Sequence, residues 1–235
     1  MGTTLTLQNS MNFVAPILKG QPLQVTLQEP AVTAANIVLG TMLGPPCRWP
    51  FNRGSFNFPV SQAAGTDYTL GLADFRWLET QWLTDAAGNV HQVGGEIALA
   101  RDSNLSRPTR LAQQYDDNMG NITFRVGPAP DTAYTMFGDY QKKAKLIEDP
   151  SSVWGVVPDE FGYIFQQGFL GVMMLLVNDV RFPIELGFFI ARLLGAQDGM
   201  SEQQKNIFVQ DWMAFAGTLT RSQGAVQQGL AGRGK

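Results

Sequence analysis

The sequence predicts an α+β fold in which helices from the N- and C-terminal parts form a bundle around an inserted, antiparallel β-rich domain. Three observations predict it. In the middle of the chain apolar residues alternate with polar ones, as in Phe56, Phe58, Val60 and again in Ile122, Phe124, Val126. From Pro158 onward the period changes: Phe161, Ile164, Phe165, Gly168, Phe169, Val172 and Leu176 fall at three- and four-residue steps. Before the alternation begins, Glu29-Pro30 opens a helical segment that Gly44-Pro45-Pro46 stops. An amphipathic helix ending there needs a partner, which the C-terminal helices supply.

Residues 1–28 read as an extended polar segment punctuated by Pro16 and Pro22. The helical domain takes residues 29–46 and 155–220, the β-rich domain 47–154, and a flexible tail 221–235. Within the β-rich part, Tyr68, Leu70 and Leu72 repeat the alternation, and Phe75 to Leu83 is a strand of bulky aromatics. Asp85-Ala-Ala-Gly88 and Asp116 to Gly120 are turns, with weaker strands at 90–100 and 110–115. Ile122–Val126, Gly127-Pro-Ala-Pro130 and Ala133–Phe137 together look like a hairpin. In the C-terminal part a second helix spans Pro183 to Leu194. A third starts at Ser201 with Gln204 completing a capping box, and carries the stripe Phe208, Trp212, Phe215, Leu219. Residues 161–177 are apolar but contain Gln166, Gln167 and three glycines, and lack basic flanks, so they read as a core helix and not a membrane span.

With 235 residues the chain can bury a sizeable core. Charged residues make up 16%, against roughly 25% in typical soluble domains. Sparse charge suits either extensive burial against partners or a polar, uncharged surface. A net charge of −3 argues against a broad phosphate-binding face. The single cysteine, Cys47, excludes an internal disulfide.

Catalytic chemistry is thin. His91 is the only histidine, and with Cys47 it leaves only carboxylates to complete a zinc site. The carboxylate pairs Asp116-Asp117, Glu148-Asp149 and Asp159-Glu160 have the composition of a hydrolase site. They also sit where turns and helix N-termini favour acids. No catalytic residue, cofactor or metal is expected. The candidate for recognition is Arg48-Trp-Pro-Phe-Asn-Arg53, since Arg48, Trp49, Phe51 and Arg53 are the residue types that anchor buried interfaces. Trp49 also fits a packing role at the edge of the core.

Taken in order, the segments Trp49-Pro-Phe-Asn52, Gly65 to Leu70, the strand around Trp77, Phe124–Val126 with Gly-Pro-Ala-Pro, and Trp154 leading to Val157-Pro-Asp-Glu-Phe161 form a familiar series. Over residues 25–200 it resembles the tail-tubular-protein-A-like adaptors that join portal to tail in tailed bacteriophages. The resemblance implies a non-enzymatic virion protein, assembled in the host cytoplasm as a twelve-subunit ring around the DNA channel. Its partners would be the portal and the tail nozzle or tube, with genomic DNA passing through without specific binding. It also implies that the C-terminal segment, with Arg221, Leu230, Arg233 and Lys235, enters grooves between portal subunits. A tail completion or terminator protein is the neighbouring alternative, and a virion-associated hydrolase a more distant one. The long polar N-terminus and the capped helix at 201–217 depart from the short-tailed pattern.

Overall fold

A computed structural model describes residues 5–18, 29–96, 99–155 and 157–231, with side chains through Thr218. The fold is α+β. The chain divides into two compact units, Met1–Cys47 with Ala144–Lys235, and Arg48–Lys143.

The first unit is helical among its described residues. Its opening helix, α1 (Leu7–Val14), lies where the sequence reading expects extended chain. Thr6 and Asn9 form a reciprocal cap: the Thr6 hydroxyl accepts from the Asn9 amide, and Asn9 Oδ1 accepts from the Thr6 amide at 2.9 Å. Two first-turn N–H groups that a helix leaves unpaired donate outward, Leu7 to Ser152 O and Gln8 to Pro150 O. Leu7, Met11 and Val14, spaced by four and three residues, are buried. Burial of that one face outweighs the polar remainder of the segment. Residues 19–28, the rest of the expected extended stretch, lie outside the described residues.

Helix α2 (Ala31–Met42) buries Ala34, Ala35, Val38, Leu39 and Met42, and α3 (Gly162–Leu176) packs on it. Asn36 ties α2 to the chain ahead of α3, donating Nδ2 to Ile147 O at 2.9 Å and accepting from Ile147 N at 2.8 Å. Residues 144–154, which the sequence pattern groups with the strands, therefore belong to the helical unit. Trp154 closes this connection with its ring centroid 3.9 Å from that of Phe165. Every residue from Gly168 to Leu175 is buried. α4 (Phe182–Gly195) crosses α3 where α3 has no side chain: a Cβ on Gly168 would stand 2.7 Å from Phe189, and one on Gly171 2.6 Å from Leu186.

Helix α5 (Glu202–Ala231) starts at the expected Ser201–Gln204 box. Its buried stripe is Phe208, Trp212 and Ala216, so Phe215 falls off the expected line and stands exposed. Trp212 Nε1 donates to Thr41 Oγ1 of α2. The backbone helix continues to Ala231, across the segment expected to be flexible from 221. Ala225, Gln227, Gln228 and Leu230 are good helix formers, and they offset Gly224 and Gly229.

The second unit is a pair of four-stranded sheets. One has the order β1 (Arg53–Val60), β8 (Tyr134–Lys142), β3 (Phe75–Asp85), β4 (Val90–Gln92). The other has β2 (Asp67–Gly71), β7 (Asn121–Gly127), β6 (Arg110–Asp116), β5 (Gly94–Glu96), with β5 parallel to β6. Phe56, Phe58, Tyr68, Phe75, Leu83, Leu111, Ile122, Phe124, Met136 and Tyr140 form one core between them. The expected hairpin at Gly127–Pro130 is a crossover instead, because β7 pairs with β2 and β6 whereas β8 pairs with β1 and β3. Both strands bury alternate residues, and facing each other across the core buries both sets. Gly138 and Gly54 leave room for the rings of Phe56 and Tyr140.

On the β2–β7 edge, Asp67 accepts from Arg125 Nε at 2.6 Å and from Arg101 at 2.9 Å. The hydrogen bond from Arg125, with help from Arg101 and against the cost of burial, holds the Asp67 carboxyl at about 2, below its ordinary 3.8. A folded-state value below the unfolded one means stability that is full above pH 4 and lost as pH falls toward 2. The side chains are 27% and 18% exposed. Asp67→Asn is therefore expected to lower stability at pH 7 by about 1–2 kcal/mol after solvent screening. The gap to the parent should close between pH 4 and pH 2, as read by urea unfolding at each pH.

Candidate interaction surfaces

The Arg48–Arg53 segment is a clasp on the β unit. A short 3₁₀ turn (Pro50–Asn52) leads into β1, and Gln141 of β8 grips the residue before it. Gln141 Oε1 accepts from Trp49 N at 3.3 Å, while its Nε2 donates to Trp49 O at 3.2 Å and to Glu79 Oε2 at 2.7 Å. Glu79 also accepts from Arg53 at 3.0 and 2.5 Å. Burial opposes ionisation of Glu79, but the hydrogen bonds from Arg53 and Gln141 outweigh it and hold the carboxyl below its usual range. Trp49 is 2% exposed, so it packs and offers no surface to a partner. Phe51 lies half-buried with its ring centroid 5.1 Å from that of Trp49. Arg48 and Arg53 are exposed, and the Arg48 guanidinium stands 5.8 Å from the Trp77 ring centre. Of the four candidate residues, then, the two arginines are exposed, Phe51 is half-buried and Trp49 is buried.

His91 on β4 sits between Asp85, 3.2 Å from its Nε2, and Arg107, 3.2 Å from its Nδ1. Arginine only donates, so Nδ1 accepts and the ring proton sits on Nε2 facing Asp85. Both nitrogens are thus engaged, and neither is placed to activate a nucleophile. Asp85 itself caps the β3–β4 turn, and hydrogen bonds from Asn89 lead in drawing its carboxyl down to about 2.

The carboxylate pairs are likewise turn-builders. Asp116 accepts from the Asn118 amide and from Lys143, and Asp117 accepts from Met119 and Asn121. These bonds lower both carboxyls. Asp149 accepts from Ser151 and Ser152 with the same result. Asp159 and Glu160 lie in the 3₁₀ turn ahead of α3. Among the described residues no cluster of three or more ligating side chains could hold a metal ion. No helix there is long and apolar enough to cross a membrane.

Sequence periodicity missed the surface that stands out on the helical unit. On α4, Ile184 and Phe188 are 62% and 54% exposed although the opposite side of the same helix is fully packed. Gln167 of α3 borders this face, accepting from Arg192 at 2.8 Å and donating to Glu185 at 2.5 Å. Arg192 also stands 5.9 Å from the centre of the exposed Tyr163 ring. Exposed aromatic and aliphatic side chains rimmed by polar ones are the composition of a protein–protein contact. The signal was legible in part, since α4 is apolar around more of its circumference than one core contact requires.

Of the residues expected to reach a portal, Arg221 and Leu230 lie on the helical backbone of α5, beyond the described side chains. Arg233 and Lys235 lie outside the described residues. The comparison with protein-family models finds no match to this sequence, and neither does the search of curated proteins.

Proposed function

We propose that this chain is a structural protein of a tailed-bacteriophage virion, a head-to-tail adaptor that forms a ring between the portal and the tail nozzle or tube. In this reading α2 to α5 are the helical bundle of the adaptor and Arg48–Lys143 its inserted β domain. The observation that carries it is the set of apolar side chains that the helical unit leaves exposed, Ile184 and Phe188 on α4 with Ile207, Met213 and Phe215 on α5. A subunit built to be covered by neighbours has such a face, whereas a solitary binding module has little use for one. The ordered series from Trp49 to Phe161, the low charge and the net acidity add support, since a channel that lets DNA slide should not grip phosphate. Arg48, Phe51 and Arg53 are assigned to subunit or partner contacts. Arg221, Leu230, Arg233 and Lys235 are assigned to portal contact.

Negative-stain imaging of the purified chain with a cognate portal tests this. Rings stacked on the portal are expected, and a chain truncated after Thr220 should lose docking while its helical circular dichroism falls only by the share of the Arg221–Ala231 part of α5 that it removes. Full-length protein that never associates with portal, over a range of salt and concentration, would sink the reading.

A further inference from the structure

The outward face of α4 has the spacing of a helix–helix seam. Ile184, Phe188, Ala191 and Gly195 recur at steps of four, three and four residues. At 3.6 residues per turn they lie opposite the buried Leu186, Phe189, Ile190 and Leu193. Gly187 and Gly195 are exposed on or beside the seam, and a Cβ on either would meet nothing within 4 Å. The single chain therefore gives no steric reason for them, and a mid-helix glycine such as Gly187 costs about 1 kcal/mol relative to alanine. A second backbone approaching this face supplies the reason.

We propose that α4 pairs antiparallel with α4 of a second copy of this chain, about a two-fold axis between Phe188 and Ala191. In that register Phe188 meets the partner's Ala191, Ile184 meets the partner's Gly195, and Gly187 meets the partner's Leu194. Each bulky side chain faces a small one. The same register sets Glu185 against the partner's Arg192 and Arg192 against the partner's Glu185, at the flanking positions where interhelical ion pairs select orientation. Gln167 already holds both side chains on that flank. Parallel pairing would stack Phe188 on its own copy, oppose glycine to glycine and form neither ion pair. The volumes and the charges thus select one occupant and one direction. The seam of a 14-residue helix is short, so the dimer should dissociate in the micromolar range.

This inference does not rest on the adaptor reading: the two-fold α4 contact is a state of the free chain that must open wherever a head-to-tail ring covers the same face, and the two are tested separately, one by sedimentation and the other by portal imaging. Sedimentation velocity of the full chain across the micromolar range should show a monomer–dimer equilibrium. Gly195→Leu should leave thermal unfolding near that of the parent and weaken dimerisation about tenfold or more, because its side chain has space only in the monomer. Glu185→Arg and Arg192→Glu should each weaken it by about tenfold, and the double swap should return it to within about threefold of the parent. Restoration by the double swap cannot come from structural damage. A parent that sediments as a monomer throughout overturns the proposal. So do folded single swaps that leave association unchanged, and a folded double swap that fails to restore it.

Discussion

Gly168→Leu is expected to be the most damaging single change in the helical unit. Even the first added carbon would stand 2.7 and 2.8 Å from the Phe189 ring and 2.8 Å from Val38. Two helices, α4 and α2, would have to move away from α3, and neither can do so without opening the core that Phe169, Val172 and Leu193 fill. Overpacking of this kind costs about 1–3 kcal/mol for a modest insertion and more for a full leucine. Gly168→Ala should still be destabilising, because the gain of about 1 kcal/mol in helix propensity is smaller than the clash. Gly187→Ala on α4 is the control: with open space around it in the single chain, the same propensity gain should appear as added stability when unfolding is followed below the concentration at which α4 pairs. Urea unfolding of the three variants measures this, and a Gly168→Leu protein as stable as the parent would show that the α3–α4 crossing is looser than described.

Trp154→Ala is expected to cost about 3–5 kcal/mol, the range for a buried aromatic replaced by alanine. Trp154 is 1% exposed and lies against Phe165 and Gly162. It joins the 144–154 connection to the start of α3, so its loss should also loosen the pairing of Thr6 with Val153 that carries α1. Its indole N–H makes no hydrogen bond among the described residues. Trp154→Phe should therefore cost far less than Trp154→Ala, since it removes ring volume but strands no polar partner. Equal losses for the two variants would mean that the indole nitrogen has a partner that matters.

How far the sequence carries can be seen at particular residues. The period change at Pro158 placed α3, α4 and the start of α5, because burial of one helical face leaves a three- and four-residue trace. α1 was missed although Thr6, Asn9, Leu7, Met11 and Val14 hold its cap and its stripe, since a short polar helix gains its stability only from what packs on it. Alternation marked β7 and β8 and the inward face of each, but it carries no information about which sheet a strand joins. The Gly-Pro-Ala-Pro stretch serves a crossover as well as a hairpin. Arg48, Trp49, Phe51 and Arg53 read as an interface from their residue types alone. That Trp49 packs inward while Arg48 and Arg53 stay exposed depends on Gln141, which returns from a distant strand. The α4 face is hardest of all, because apolar residues on both sides of a helix do not say which side the chain itself covers.

The discontinuity of the helical unit has a consequence for the order in which the protein is made. The Arg48–Lys143 unit is continuous and has all its strands once Lys143 has left the ribosome. α2 emerges earlier, yet the face formed by Val38, Leu39 and Met42 waits for α3. At 5–20 residues per second, the intervening stretch of about a hundred residues takes on the order of ten seconds to synthesise. During that interval α2 has the short α1 beside it, but the face that α3 covers has no native partner. A chaperone that holds nascent apolar segments should therefore engage this protein while its β unit is being translated, and should leave as α3 appears.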